Sequence, residues 1–206
     1  MTVNGMSDAG RKIIESVPYL SPRHAGILGL FSLSVFIVCW IIGAWVDEEW
    51  VLFDDSVCRL GVSDITFIRV MYPIDCTVSG LGLGYFGYCI ARSSKRKLQA
   101  VGYDLCVPFG LALMGIGLVN IDMNYTLHMV FVFAMAIFGG FVIGLTAIDD
   151  FRNGDRFTLP YFIILMAVFL YLTFFNFDYQ QPFVYVCMFI WLIYKCYFFI
   201  RDDSVN

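Results

Sequence analysis

Apolar residues in this chain fall in long unbroken runs, not in the spaced stripes of an amphipathic fold. Six runs stand out, at 26–46, 66–91, 101–121, 125–145, 158–177 and 182–200. At about 1.5 Å of rise per residue, a helix of about 20 mostly apolar residues crosses the ~30 Å hydrocarbon layer of a bilayer. Each run is of that order. Strands of a membrane barrel would alternate apolar and polar positions, and Phe131 to Phe138 shows no such alternation. A backbone without water must satisfy its own hydrogen bonds, so the pattern predicts an all-α fold: a polytopic transmembrane helix bundle of six spans over 26–200. A polar N-terminal segment, 1–25, precedes it and a short tail, 201–206, follows. Pro160 and Pro182 fall in first helical turns, where a missing N–H costs nothing.

Composition agrees. Of 206 residues, 60% are hydrophobic, 18% aromatic and 15% charged, against roughly 45–50% apolar and about 25% charged in a soluble domain. One soluble core of this size could not hide so much apolar surface. The balance excludes a soluble enzyme, a disordered tail, a collagen-like chain and a nucleic-acid binder.

The basic residues set an orientation. Arg11, Lys12, Arg23, Arg92, Lys95, Arg96, Lys97, Arg152, Arg156 and Arg201 lie on the side of the termini, and Arg59 alone lies on the other. The positive-inside rule then predicts a multi-pass protein of the cell membrane with both termini cytoplasmic. No cleavable signal is visible, and the first span is expected to act as its own insertion signal. The 92–97 cluster reads as a topology determinant, with anionic lipid headgroups as its sharper alternative.

Seven cysteines, with no Cys-x-x-Cys pair, offer neither a disulfide framework nor zinc spacing; no metal and no cofactor is expected. Glycines gather in the second span (Gly80, Gly82, Gly84, Gly87), the third (Gly110, Gly115, Gly117) and the fourth (Gly139, Gly140, Gly144). Gly80/Gly84 and Gly140/Gly144 have the spacing that lets helix backbones approach closely, so spans two to four are expected to pack together. Spans five and six have no glycine, and their aromatics suit a wall facing lipid or a partner.

Ionisable residues deep in a span are costly and commonly functional. Arg69, Asp104 and Lys195 lie near span ends and are expected to snorkel outward. Asp75 is deeper, with Ser79 and Gly82 on its face, which spans three and four could cover. Asp75, Arg69 and Ser79 are therefore the candidates for ligand binding or proton coupling. On the outer face, Asp55, Asp122 and His128 are candidates for acid–base chemistry, His128 being the histidine nearest these carboxylates. Asn124-Tyr125-Thr126 fits a glycosylation sequon but sits too close to the membrane to be used.

The outer loop, Asp54-Asp55-Ser56-Val57-Cys58-Arg59-Leu60-Gly61, and the run from Leu111 to Asn120 in the third span carry a resemblance. Together with a short acidic turn and His128, they resemble the domain-of-unknown-function nine-nine-eight family of small prokaryotic six-helix membrane proteins. That family is thought to be distantly similar to eukaryotic membrane proteins of the stress-induced autophagy-modulator type. Its loop pattern fits best as Asp55-Ser56, three residues, Leu60-Gly61, with Arg59 inside it, and its helix-four histidine falls on His128. The resemblance implies a fold and no assigned reaction.

Three functions follow as expectations. The favoured one is a non-enzymatic membrane protein that binds a lipid or small molecule, or modulates a partner. Membrane lipids are its expected partners, a protein partner or a second copy of the chain the further candidates, and nucleic acid is not expected. The second is an enzyme acting on lipid headgroups at the outer face through Asp55, Asp122 and His128. The third is a small transporter coupled through Asp75.

Overall fold

The computed structural model describes residues 18–52, 54–175 and 180–201. Arg11, Lys12, the last two residues of the fifth run and the tail beyond Arg201 lie outside them. The regular elements among the described residues are all helical: α1 (Pro22–Val46), a 3-10 turn (Val57–Val62), α2 (Thr66–Ser93), α3 (Lys97–Asp104), α4 (Cys106–Leu118), α5 (Tyr125–Arg152), α6 (Thr158–Phe175) and α7 (Gln180–Arg201). Four helical stretches have the length and apolarity to cross a membrane: Pro22–Val46, Lys97–Leu118, Tyr125–Arg152 and Phe183–Arg201. Thr158–Leu172 is apolar but shorter. α2, at 28 residues, is long enough but more polar. This is an integral membrane protein.

Local chemistry explains the ends. Ser21 caps α1, its hydroxyl accepting from the His24 N–H, with Pro22 at the first position. Asn124 caps α5 through the Leu127 N–H at 3.0 Å, which gives the sequon asparagine a structural task. α5 stops at Asn153 before Gly154, whose φ of +97° suits glycine. The third run is broken at Leu105 into α3 and α4. Pro108 explains the break, because it has no N–H to give the Asp104 carbonyl one turn back.

The helices close into a ring in the order α1–α2–α4–α5–α6–α7, with α7 returning to α1 and α3 bridging α2 and α5. Leu83, Phe86, Phe109, Ile143 and Trp191 fill its centre, leaving a void of about 20 Å³. The closest crossing is α2 on α4. A Cβ on Gly80 would fall 2.5 Å from the Gly110 carbonyl oxygen, and one on Gly110 2.2 Å from the Gly80 carbonyl oxygen. The expected packing of spans two to four is observed as α2 on α4 and α4 on α5, where a Cβ on Gly115 would fall 2.4 Å from the Phe131 ring. Gly140, by contrast, faces open space.

The aromatic wall divides. α6 does turn Ile163, Ile164, Tyr171 and Phe174 outward. α7 instead packs on α1: Tyr185, Trp191 and Phe199 are buried, and Tyr185 and Phe189 meet Phe36 and Trp40 at centroid distances of 5.9–6.3 Å. The room comes from Gly26 and Gly29 of α1, where a Cβ would lie 2.8 Å from the Cys196 carbonyl oxygen and 2.9 Å from its Sγ.

Candidate functional site

At one end of the ring, residues 47–52 and 54–65 fold back over α1 and α2. Trp50 Nε1 donates to the Ser56 carbonyl at 3.0 Å, and its ring stands edge-on to Trp40 at 6.5 Å. Asp55 accepts from the Val51 N–H at 2.8 Å and pairs with Arg59. The hydrogen bond that Arg59 donates to Asp55, then the carboxylate charge behind it, holds the Arg59 guanidinium above its ordinary pKa. Val57, Cys58 and Leu60 are buried beneath. At Gly61 a Cβ would meet the Tyr72 ring at 2.8 Å, and the Gly61 carbonyl accepts from Asn120 Nδ2 at 3.5 Å. The loop motif works here as a plug tying α1, α2 and the end of α4.

His128 is 1% exposed. Its Nδ1 lies 2.6 Å from the Val119 carbonyl oxygen, so Nδ1 carries the proton and satisfies a carbonyl at the end of α4. Asp122 is exposed in the following turn. Among the described residues no hydrogen bond or ion pair joins Asp55, Asp122 and His128, and no group of three metal-ligating side chains forms.

The deep acid has a different setting. Asp75 is 4% exposed, and Ser79 Oγ lies 3.0 Å from both Asp75 Oδ1 and the Ser32 carbonyl oxygen. The face bearing Asp75, Ser79 and Gly82 is therefore covered by α1, not by the third and fourth spans: a Cβ on Gly82 would collide with Ser32. Arg69 points away and is exposed.

At the opposite end stands a cluster the sequence reading missed. Arg96, before α3, pairs with Asp149 at 2.9 Å and with Asp150 at 3.4 Å, and Lys195 of α7 pairs with Asp150. Lys195 is 4% exposed and does not snorkel, because α5 continues two turns past residue 145 and brings a carboxylate to it. The adjacent acids Asp149-Asp150 facing a lysine in the last span were the available signal.

A wide concavity lies on the outside of the ring. Gly80, Leu81, Gly84, Tyr85, Tyr88, Val107, Leu111 and Met114 of α2 and α4 line an almost wholly apolar groove of about 310 Å³. It exists because Gly80 and Gly84 leave no side chains between the two helices. Tyr85 and Tyr88 stack at its end, 6.1 Å apart. Arg92 lies over the Tyr88 ring at 5.2 Å and is exposed, as are Lys95 and Lys97, while Asp104 is an acidic neighbour of Arg92.

Residues 32–195 match the family described as "Protein of unknown function (DUF998)". The chain belongs to this family. The match covers every helix at least in part. It also takes in the loop plug, the Asp75 centre, both sides of the groove and the Arg96–Asp149–Asp150–Lys195 cluster. No curated protein and no solved structure matches the chain.

Proposed function

We propose that this DUF998 member is a six-span protein of the cell membrane, both termini cytoplasmic, that binds an anionic phospholipid without turning it over. The observation that carries the reading is the α2–α4 groove with its basic end. An apolar furrow on the outer surface of a membrane bundle suits an acyl chain, and about 310 Å³ lies in the usual range of ligand pockets. Tyrosine is enriched at membrane–water interfaces, and Tyr85 and Tyr88 stand at the groove's end. Arg92, Lys95 and Lys97, in and beyond the last turn of α2, supply positive charge where the headgroup would sit, and this sets an anionic lipid above a zwitterionic one. The headgroup-enzyme reading is less favoured, since Asp55 is engaged by Arg59 and His128 by Val119.

Native mass spectrometry of the purified chain with phosphatidylglycerol and phosphatidylcholine tests this. Phosphatidylglycerol should be retained preferentially. Leu111→Trp, which fills the groove, should abolish retention. Arg92→Ala should weaken it about fivefold, the equivalent of about 1 kcal/mol for one basic residue near the surface. Equal retention of the two lipids, or retention unaffected by Leu111→Trp, would overturn the proposal.

A further inference from the structure

The buried acid of α2 has a hydrogen-bond arithmetic of its own, independent of the lipid groove. Asp75 lies nine residues beyond Thr66, or roughly 14 Å along the helix axis. Among the described residues it has no ion pair, and no lysine, arginine or histidine lines the space around it. The titratable groups facing this region are Cys39 of α1, Cys58 of the 3-10 turn, Tyr72 and Cys76 of α2 itself, and Tyr185 of α7. From α4, Gly117 meets Cys76. Thiols and phenols are ordinarily neutral at pH 7, so none of these is a counter-cation. A carboxylate in such surroundings carries a desolvation cost that no counter-charge offsets.

The oxygens count the same way. Ser79 Oγ stands 3.0 Å from Asp75 Oδ1 and 3.0 Å from the Ser32 carbonyl oxygen. A hydroxyl has one proton to give. With Asp75 ionised, both neighbours are acceptors, and one of the two contacts sets lone pair against lone pair. With a proton on the carboxyl both contacts are satisfied in sequence: Asp75 Oδ–H donates to Ser79 Oγ, and Ser79 Oγ–H donates to the Ser32 carbonyl. Beside the carboxyl, Cys39, Trp40, Val57, Leu60 and Tyr72 help enclose a cavity of about 10 Å³, close to the room one water needs. Trp40 lines it with an Nε1–H that is buried without a partner, a donor for such a water.

We propose that Asp75 is a proton-binding site. It is neutral in the folded bundle, relays its hydrogen bond through Ser79 to α1, and exchanges its proton with a water in the cavity under Trp40. On release the Oδ–H bond breaks, the water takes the proton, and the carboxylate left behind keeps the Ser79 hydroxyl as its donor. The ligand is a proton, not a metal cation, and the loop plug through Val57 and Leu60 forms the wall on the side where it would enter.

Infrared spectroscopy of the full chain in liposomes at pH 7 tests the site. The wild type should show a protonated-carboxyl C=O band that shifts on deuterium exchange. It should be lost in Asp75→Asn, retained in Asp104→Asn, and moved in frequency in Ser79→Ala. Identical carboxyl regions in wild type and Asp75→Asn would overturn the proposal. So would a band that vanishes on adding sodium at fixed pH, because the site would then hold a cation. Should Asp75→Asn fail to fold, Ser79→Ala decides: a shifted band supports the relay and an unmoved band refutes it.

Discussion

Gly80→Ala should damage this protein in a way that Gly140→Ala does not, although both glycines begin a Gly-x-x-x-Gly pair. A methyl on Gly80 would sit 2.5 Å from the Gly110 carbonyl oxygen and 2.9 Å from Met114 Cγ, while ordinary contact begins at 3.4 Å. The nearer obstacle is backbone and cannot rotate away, so α2 and α4 must part by most of an ångström at their closest crossing. Overpacking of this kind costs about 1–3 kcal/mol, and the gain in helix propensity from glycine to alanine returns at most ~1 kcal/mol. The expected net loss is about 1–2 kcal/mol, a factor of roughly 5–30 in the folding equilibrium. Gly110→Ala approaches Gly80 from the other side and should behave alike. Outside their own helix backbone, an added Cβ meets nothing within 4 Å on Gly140 and nothing closer than 3.5 Å on Gly84, so their alanine variants should be neutral or stabilising by up to ~1 kcal/mol. Reversible unfolding in mixed micelles, followed by circular dichroism across an SDS titration, measures all four. If Gly140→Ala loses as much as Gly80→Ala, contact between α2 and α4 is not what keeps these glycines, and the packing argument fails. The same series bears on the groove, since helices forced apart at Gly80 should also lose phosphatidylglycerol.

The other predictions concern single polar contacts and the topology. Lys195→Met leaves Asp150 with Arg96 alone, at 3.4 Å, and should cost about 1–3 kcal/mol, whereas Lys195→Met with Asp150→Asn should recover part of it; thermal unfolding in detergent reads both. His128→Ala leaves the Val119 carbonyl unpaired and should cost about 1–3 kcal/mol while phosphatidylglycerol retention is unchanged; a selective loss of lipid binding would contradict this assignment. A membrane-impermeant maleimide applied to intact cells should label Asp54→Cys, and Ser94→Cys only after permeabilisation; the reverse result would invert the topology.

Much of the fold was legible because span-forming sequence is a local property. The runs placed helix starts at residues 66, 125 and 158 where they are observed, and missed mainly at ends set by other chemistry. Pro108 breaks the third run through a carbonyl one turn back, and α5 runs on to Arg152 because Asp149 and Asp150 find Arg96 and Lys195 instead of water. The site was less legible. Asp55, His128 and Asp75 could be selected by type and depth, and Asp55 and Asp75 find Arg59 and Ser79 within one helical turn, but the contacts that set such groups in the bundle lie far away in sequence. Ser32 reaches Ser79 across 47 positions, and Lys195 reaches Asp150 across 45.

By itself the sequence determined that this chain lives in a membrane as a bundle of helices, because hydrocarbon forces long apolar runs and self-satisfied backbones. It also named the few ionisable residues worth examining. Only the tertiary structure decided which of them are paired. It closed α7 onto α1 through Gly26 and Gly29, turned the Asp75 face toward α1, and buried Lys195 against a carboxylate. It also opened a groove where two glycines leave α2 and α4 without side chains between them. Those outcomes depend on which helix faces meet, and the faces that meet are chosen by shape complementarity among all the helices at once, which no single run encodes.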